Sequence, residues 1–136
     1  MTTRRCIALG TAIVVALDLV IGVAGALLPL EPLLDTMLVA SIAGSVLAYG
    51  AFGFLAVRGG SSIHGGGAVG GAIAVLAANV PIAIALPFTG LPDGGYPTFF
   101  ELWLLATFGI GVVGLVAGAI GGWLAIRRAA SEARRG

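Results

Sequence analysis

The sequence predicts an all-α membrane protein, a transmembrane four-helix bundle in which residues 1–136 form one integral membrane domain. Three observations lead there. Of the 136 residues, 59% are apolar and only 10% are charged, against about 25% charged in an average soluble domain. A soluble chain of this size has too much surface for its volume to hide so much apolar area. Four stretches are long enough to cross a bilayer, and once they are threaded through it every arginine falls on one side. The same composition excludes a disordered chain, a nucleic-acid reader and a soluble enzyme. Cys6 is the only cysteine, so no intrachain disulfide is available.

A helix needs about 20 apolar residues to span the bilayer core. The first stretch, residues 6–28, qualifies and carries one acid, Asp18. Pro29 and Pro32 end it and bracket Glu31. The second, residues 36–57, is uncharged and ends in Arg58-Gly59-Gly60-Ser61-Ser62. The third, residues 66–87, is also uncharged. The connection that follows is rich in Gly and Pro (Pro87, Gly90, Pro92, Gly94, Gly95, Pro97). The fourth, residues 102–126, is uncharged as well, and together the four account for 92 of the 136 residues.

Arg4 and Arg5 precede the first span, Arg58 separates the second from the third, and Arg127, Arg128, Arg134 and Arg135 follow the fourth. The other two connections hold only acids: Glu31 and Asp35 in one, Asp93 in the other with Glu101 just beyond. Positive charge stays inside, so a multi-pass protein of the cytoplasmic membrane with both termini in the cytoplasm is expected. Phe88, Tyr96, Phe99, Phe100 and Trp103 mark the outer interface, and Trp123 the inner one. A rival reading takes the N-terminus as a cleaved signal: Thr3-Arg4-Arg5-Cys6-Ile7 resembles the start of a twin-arginine signal and Ala24-Gly25-Ala26 a cleavage site. An acid in the middle of the apolar stretch, and a membrane bundle as cargo, count against it.

Short matches suggest a tandem duplication of a two-helix hairpin. Gly53-Phe54-Leu55-Ala56-Val57-Arg58 pairs with Gly122-Trp123-Leu124-Ala125-Ile126-Arg127, and Gly10-Thr11-Ala12-Ile13-Val14-Val15 pairs with Gly70-Gly71-Ala72-Ile73-Ala74-Val75. The halves would then be related by an axis along the membrane normal. The alternative is chance, since Ala, Gly, Leu and Val match cheaply.

Lipid gives no hydrophobic drive between helices, so close backbone approach must hold them. Gly114, Gly118 and Gly122 make a stripe at spacing four, widened by Gly111 and Gly121. Gly67 and Gly71 in the third span, Gly44 and Gly53 in the second, and Gly22 and Gly25 in the first offer matching small faces. Two readings stand: packing within the monomer, or a glycine-zipper homo-oligomer.

Asp18 lies about 18 Å into the first span, where an acid costs about 2.5 to 3.5 kcal/mol on insertion scales. Asn79 and Ser45 fall at similar depth, with Thr107 nearer the outer face, and Pro81 frees the Ala77 carbonyl in the same layer. Asp18, Ser45, Asn79 and Thr107 therefore form a candidate midplane polar site. Placing Asp18 on one stripe with Thr11, Val14, Val15, Gly22 and Gly25 turns it into the bundle. Such a site serves either as hydrogen-bonding glue or as a proton or cation site. His64 reads as a solvated surface residue and Tyr49 as packing. The glycines after His64 lack the Gly-Lys-Ser/Thr ending of a phosphate loop. One His and one Cys are too few for a metal set, and no metal or other cofactor is expected.

The run from Gly44 through Arg58-Gly59-Gly60 to Gly70-Gly71-Ala72, and the ending Gly118-Ala119-Ile120-Gly121-Gly122, resemble small Gly/Ala-rich four-span membrane proteins of unknown function from haloarchaea and other GC-rich prokaryotes. That resemblance implies a fold and no activity. The expected role is non-enzymatic: an accessory or assembly subunit acting through helix packing. The alternative is a minimal oligomeric transporter or channel using Asp18. Expected partners are the lipid bilayer and either a second copy or another membrane protein, with no nucleic acid.

Overall fold

A computed structural model of the protein describes residues 1–27, 31–85 and 96–136. Four helices follow in order: α1 (Thr3–Leu27), α2 (Glu31–Arg58), α3 (Ile63–Ala85) and α4 (Tyr96–Arg135). All four are long and apolar enough to cross a membrane. The chain is an all-α, multi-pass membrane protein. The stop assigned to Pro29 and the connection around Pro87, Phe88, Gly90, Pro92, Asp93, Gly94 and Gly95 lie outside the described residues.

The helices are longer than the apolar stretches that announce them. Glu31, Pro32 and Asp35 belong to the start of α2 and not to a connection. Proline is tolerated in a first helical turn, where its missing N–H has no intrahelical partner, and acids favour the positive end of the helix dipole. At the other extreme, α4 has 40 residues. It spans about 60 Å, twice the bilayer core of about 30 Å. Its helix runs nine residues past Ile126, because Ala129, Ala130, Glu132 and Ala133 are good helix formers. Arg128 Nε donates to Glu132 Oε1 one turn later at 3.2 Å. Arg134 and Arg135 sit at the negative end of the dipole.

Residues 59–62 make the tight turn between α2 and α3. Gly60 has φ of +105°, the left-handed conformation that suits glycine. The N–H of Gly60 donates to the Val57 carbonyl and that of Ser61 to the Ala56 carbonyl, which closes α2 with a Schellman motif. Ser62 then caps α3, its Oγ accepting the Gly65 N–H at 3.1 Å. The Thr3 and Ser61 hydroxyls meet at 3.2 Å, so the start of α1 lies at the same end as this turn.

α2 and α3 form the central pair. α1 packs on one side of it and α4 on the other, and α1 and α4 do not touch among the described residues. Among the described residues the buried apolar side chains are few: Cys6 and Val14 from α1, Tyr49, Phe52 and Ala56 from α2, Val69, Ile73, Ala74 and Ala77 from α3, and Ala125 from α4. Large apolar residues point outward instead, with Leu27, Leu47, Leu105 and Phe108 each more than 70% exposed. Apolar surface on this scale is what a lipid-facing bundle presents.

Glycine does the packing on the α4 side. A Cβ at Gly53 would lie 2.7 Å from the Gly118 Cα, and one at Gly70 would lie 2.8 Å from it. Gly118 is thus where backbones of α2, α3 and α4 converge. Gly114 meets Gly70 and Ala74 across the α3–α4 seam, Gly122 meets Val57 of α2, and Gly121 meets the Gly50 backbone. The stripe Gly114, Gly118, Gly122 is occupied by helices of the same chain. Gly71 makes ordinary contact with Leu115, while Gly44 serves another helix, with Leu17 of α1 above it.

Candidate functional site

The face of α1 that turns inward is set by heptad spacing. Ile7, Gly10, Val14, Leu17, Ile21 and Ala24 are all buried or half-buried, at alternating intervals of three and four. Gly10 sits under Ile73 of α3, and Leu17 covers Gly44 of α2. Asp18 therefore flanks this seam and is exposed on the outside of the bundle. Of the stripe Thr11, Val14, Val15, Gly22 and Gly25, Val14 is buried and Thr11, Val15 and Gly25 are half-buried, but Gly22 is exposed with Asp18, which corrects the inward placement of Asp18. Neighbours at three, four and seven residues surround Asp18 on the helix surface without fixing which way that surface faces, and the seam passes beside it, from Val14 to Leu17.

Among the described residues one polar contact holds Asp18. The Ser41 hydroxyl of α2 donates to Asp18 Oδ1 at 2.7 Å. Ser45, one turn further along α2, is buried, with Tyr49 next on the same face. Asn79 does not reach across to either. Its Nδ2 donates to the Val75 carbonyl of its own helix at 2.7 Å, and its Oδ1 is buried without a hydrogen-bond partner. The Thr11 hydroxyl is likewise buried and unpaired. Thr107 lines a groove of about 870 Å³ between α3 and α4, together with Glu101. Because α4 does not pack against α1, Thr107 and Asp18 are on different sides of the molecule.

Of the four candidate residues, Asp18 and Ser45 share the α1–α2 side, Asn79 satisfies its own helix, and Thr107 is remote. The effective partner of Asp18 is Ser41, which the sequence marks only as one small residue of α2's packing face. The signal that would have found it is the i, i+4 pair Ser41 and Ser45 facing the acid-bearing edge of α1. His64 is exposed at the arginine-bearing end, Cys6 is fully buried, and no three of His, Cys, Asp and Glu side chains come together among the described residues.

Aromatic groups flank the apolar part of α4. The rings of Phe100 and Trp103 stack tilted at 5.4 Å, and the Arg127 guanidinium lies over the Trp123 ring at 4.3 Å. No known family, curated protein or solved structure matches the chain.

Proposed function

We propose that the protein is a non-enzymatic assembly subunit of the cytoplasmic membrane, with both termini in the cytoplasm, which docks a partner transmembrane segment along the outer edge of α1 and α2 at Asp18. The observation that carries this reading is the outward-facing Asp18 carboxyl group held by Ser41. An acid at that depth costs about 2.5 to 3.5 kcal/mol unless something offsets it. No arginine lies in the apolar stretches 6–28, 36–57, 66–87 or 102–126, so neither this chain nor a second copy brings a cation to that level. A different helix with a basic residue near its middle would. Gly22 and Gly25, with open space where a Cβ would stand, leave room for close approach of that helix beyond Asp18. The glycine-packed α2–α3–α4 unit is then the scaffold that presents the edge.

The test uses vesicles containing the labelled protein and a labelled synthetic polyleucine helix with one central lysine. Energy transfer should exceed that to an all-leucine helix, and Asp18→Leu should remove the excess. Equal transfer to both helices contradicts the docking role. Proton or cation uptake by the reconstituted protein that is lost in Asp18→Asn contradicts the accessory reading itself. Reporter fusions at Gly60 and Gly136 should read cytoplasmic, and a fusion at Gly94 external.

A further inference from the structure

The α2–α4 seam has a feature that the assembly reading does not use. Gly121 lies against the Gly50 backbone, so the two helices touch at their backbones while larger side chains flare to either side. The result is an open groove of about 850 Å³, lined by apolar residues among which Leu47, Ala51, Phe54, Val113, Ala117 and Leu124 set its walls and floor. Along α4 it runs from Val112 to Leu124, about 18 Å at 1.5 Å per residue. Half of a bilayer core of about 30 Å is about 15 Å, so the groove has the depth of one leaflet.

A second, smaller hollow continues from its end. Phe54 lines both, and the smaller one, about 180 Å³, is edged by Arg58, Arg128 and Glu132. Arg58 is one turn beyond Phe54 on α2, and Arg128 is one turn beyond Leu124 on α4. Only Nε of Arg128 is engaged by Glu132, which leaves the Nη donors of that guanidinium and all of those of Arg58 for another acceptor. Two cations and one carboxylate leave a net single positive charge at the mouth of the hollow.

We infer that this seam binds an anionic phospholipid, with an acyl chain along the α2–α4 groove and the phosphate between Arg58 and Arg128. An apolar channel of one leaflet's depth with positive charge at one end only matches an amphiphile of that polarity. Basic pockets between transmembrane helices are known to take anionic lipid headgroups. A partner helix would need no cation pair at this end, and a free anion would make no use of the groove. The inference is independent of docking at Asp18, which lies on the α1 side.

Native mass spectrometry of the detergent-solubilised protein, titrated with dioleoyl phosphatidylglycerol or dioleoyl phosphatidylcholine, tests it. The anionic lipid should be retained about tenfold or more better, the scale expected for two arginines near a headgroup. The double variant Arg58→Gln/Arg128→Gln should bring it down to the phosphatidylcholine level. Arg127→Gln/Arg134→Gln, on the same end but outside the hollow, should keep the preference. Ala51→Phe, which narrows the groove from its α2 side, should weaken retention with both arginines present, and Ala51→Leu provides the same test if the larger ring disturbs folding. Inorganic phosphate should not compete at the lipid's concentration. Equal retention of the two lipids, a preference that survives loss of Arg58 and Arg128, unchanged retention in the narrowed-groove variant, or competition by phosphate alone would each overturn the inference.

Discussion

Gly118 and Gly44 look alike in the sequence, each a small residue on a helix face, yet they sit in regions built on different terms. Around Gly118 the neighbours are backbone: the Gly66 carbonyl, the Gly70 Cα and the Gly53 backbone of two other helices. Around Gly44 the neighbour is the end of the Leu17 side chain, 2.7 Å from where a Cβ would stand. Backbone cannot step aside without separating helices, whereas a leucine can change rotamer. The α2–α3–α4 side is therefore a fixed scaffold. Among the described residues the α1–α2 side is joined by side chains and by one Ser41–Asp18 hydrogen bond, with open space where a Cβ would stand at Gly22 and Gly25. The two hairpins that share short sequence matches pack differently, and the adaptable one carries the exposed acid.

Substitutions that probe this contrast fall in a clear order. Gly118→Leu should be the most damaging, destabilising by about 3 kcal/mol in thermal unfolding in detergent, at the upper end for overpacked cores. Gly53→Ala should cost about 1 to 3 kcal/mol, because its new methyl group meets the Gly118 backbone. Gly44→Ala should stay within about 0.5 kcal/mol, since Leu17 can yield and alanine favours the helix by up to about 1 kcal/mol. If Gly44→Ala proves as costly as Gly53→Ala, the distinction between the two regions fails. Gly22→Ala, which meets open space, should be neutral or stabilising by about 0.5 to 1 kcal/mol. Ser41→Ala should cost about 0.6 kcal/mol, typical of a hydrogen bond between membrane helices and well below the cost of Gly53→Ala.

The fold class and the four spans were legible because bilayer crossing demands a length of apolar chain that nothing else in the sequence mimics. The ends of the helices were not. Arg127 and Arg128 read as lying beyond a span that closes at Ile126, but Ala129, Ala130 and Ala133 and the Arg128–Glu132 ion pair carry α4 on to Arg135. The importance of Gly118 was visible from the four-residue spacing of Gly114, Gly118 and Gly122, although spacing alone does not say that Gly53 of α2 and Gly70 of α3 both converge on it. Asp18 was recognisable as the one acid deep in a span, but its direction was misread. The packed face of α1 follows alternating three- and four-residue steps through Val14 and Leu17, and that register leaves residue 18 on the rim. Ser41 does not stand out as a polar partner because, even paired with Ser45, a serine in a run of small residues resembles packing until the facing helix is known.

The placement of Asp18 is the point on which the account turns, and spin-label accessibility tests it directly. In a Cys6→Ala background, Asp18→Cys carrying a nitroxide should be strongly relaxed by oxygen dissolved in the lipid and little affected by a water-soluble nickel chelate, as expected of a residue on the outer rim at mid-depth. An immobilised label reached by neither reagent, or one reached chiefly by the nickel chelate, would put residue 18 inside the bundle or in an aqueous passage and contradict the account.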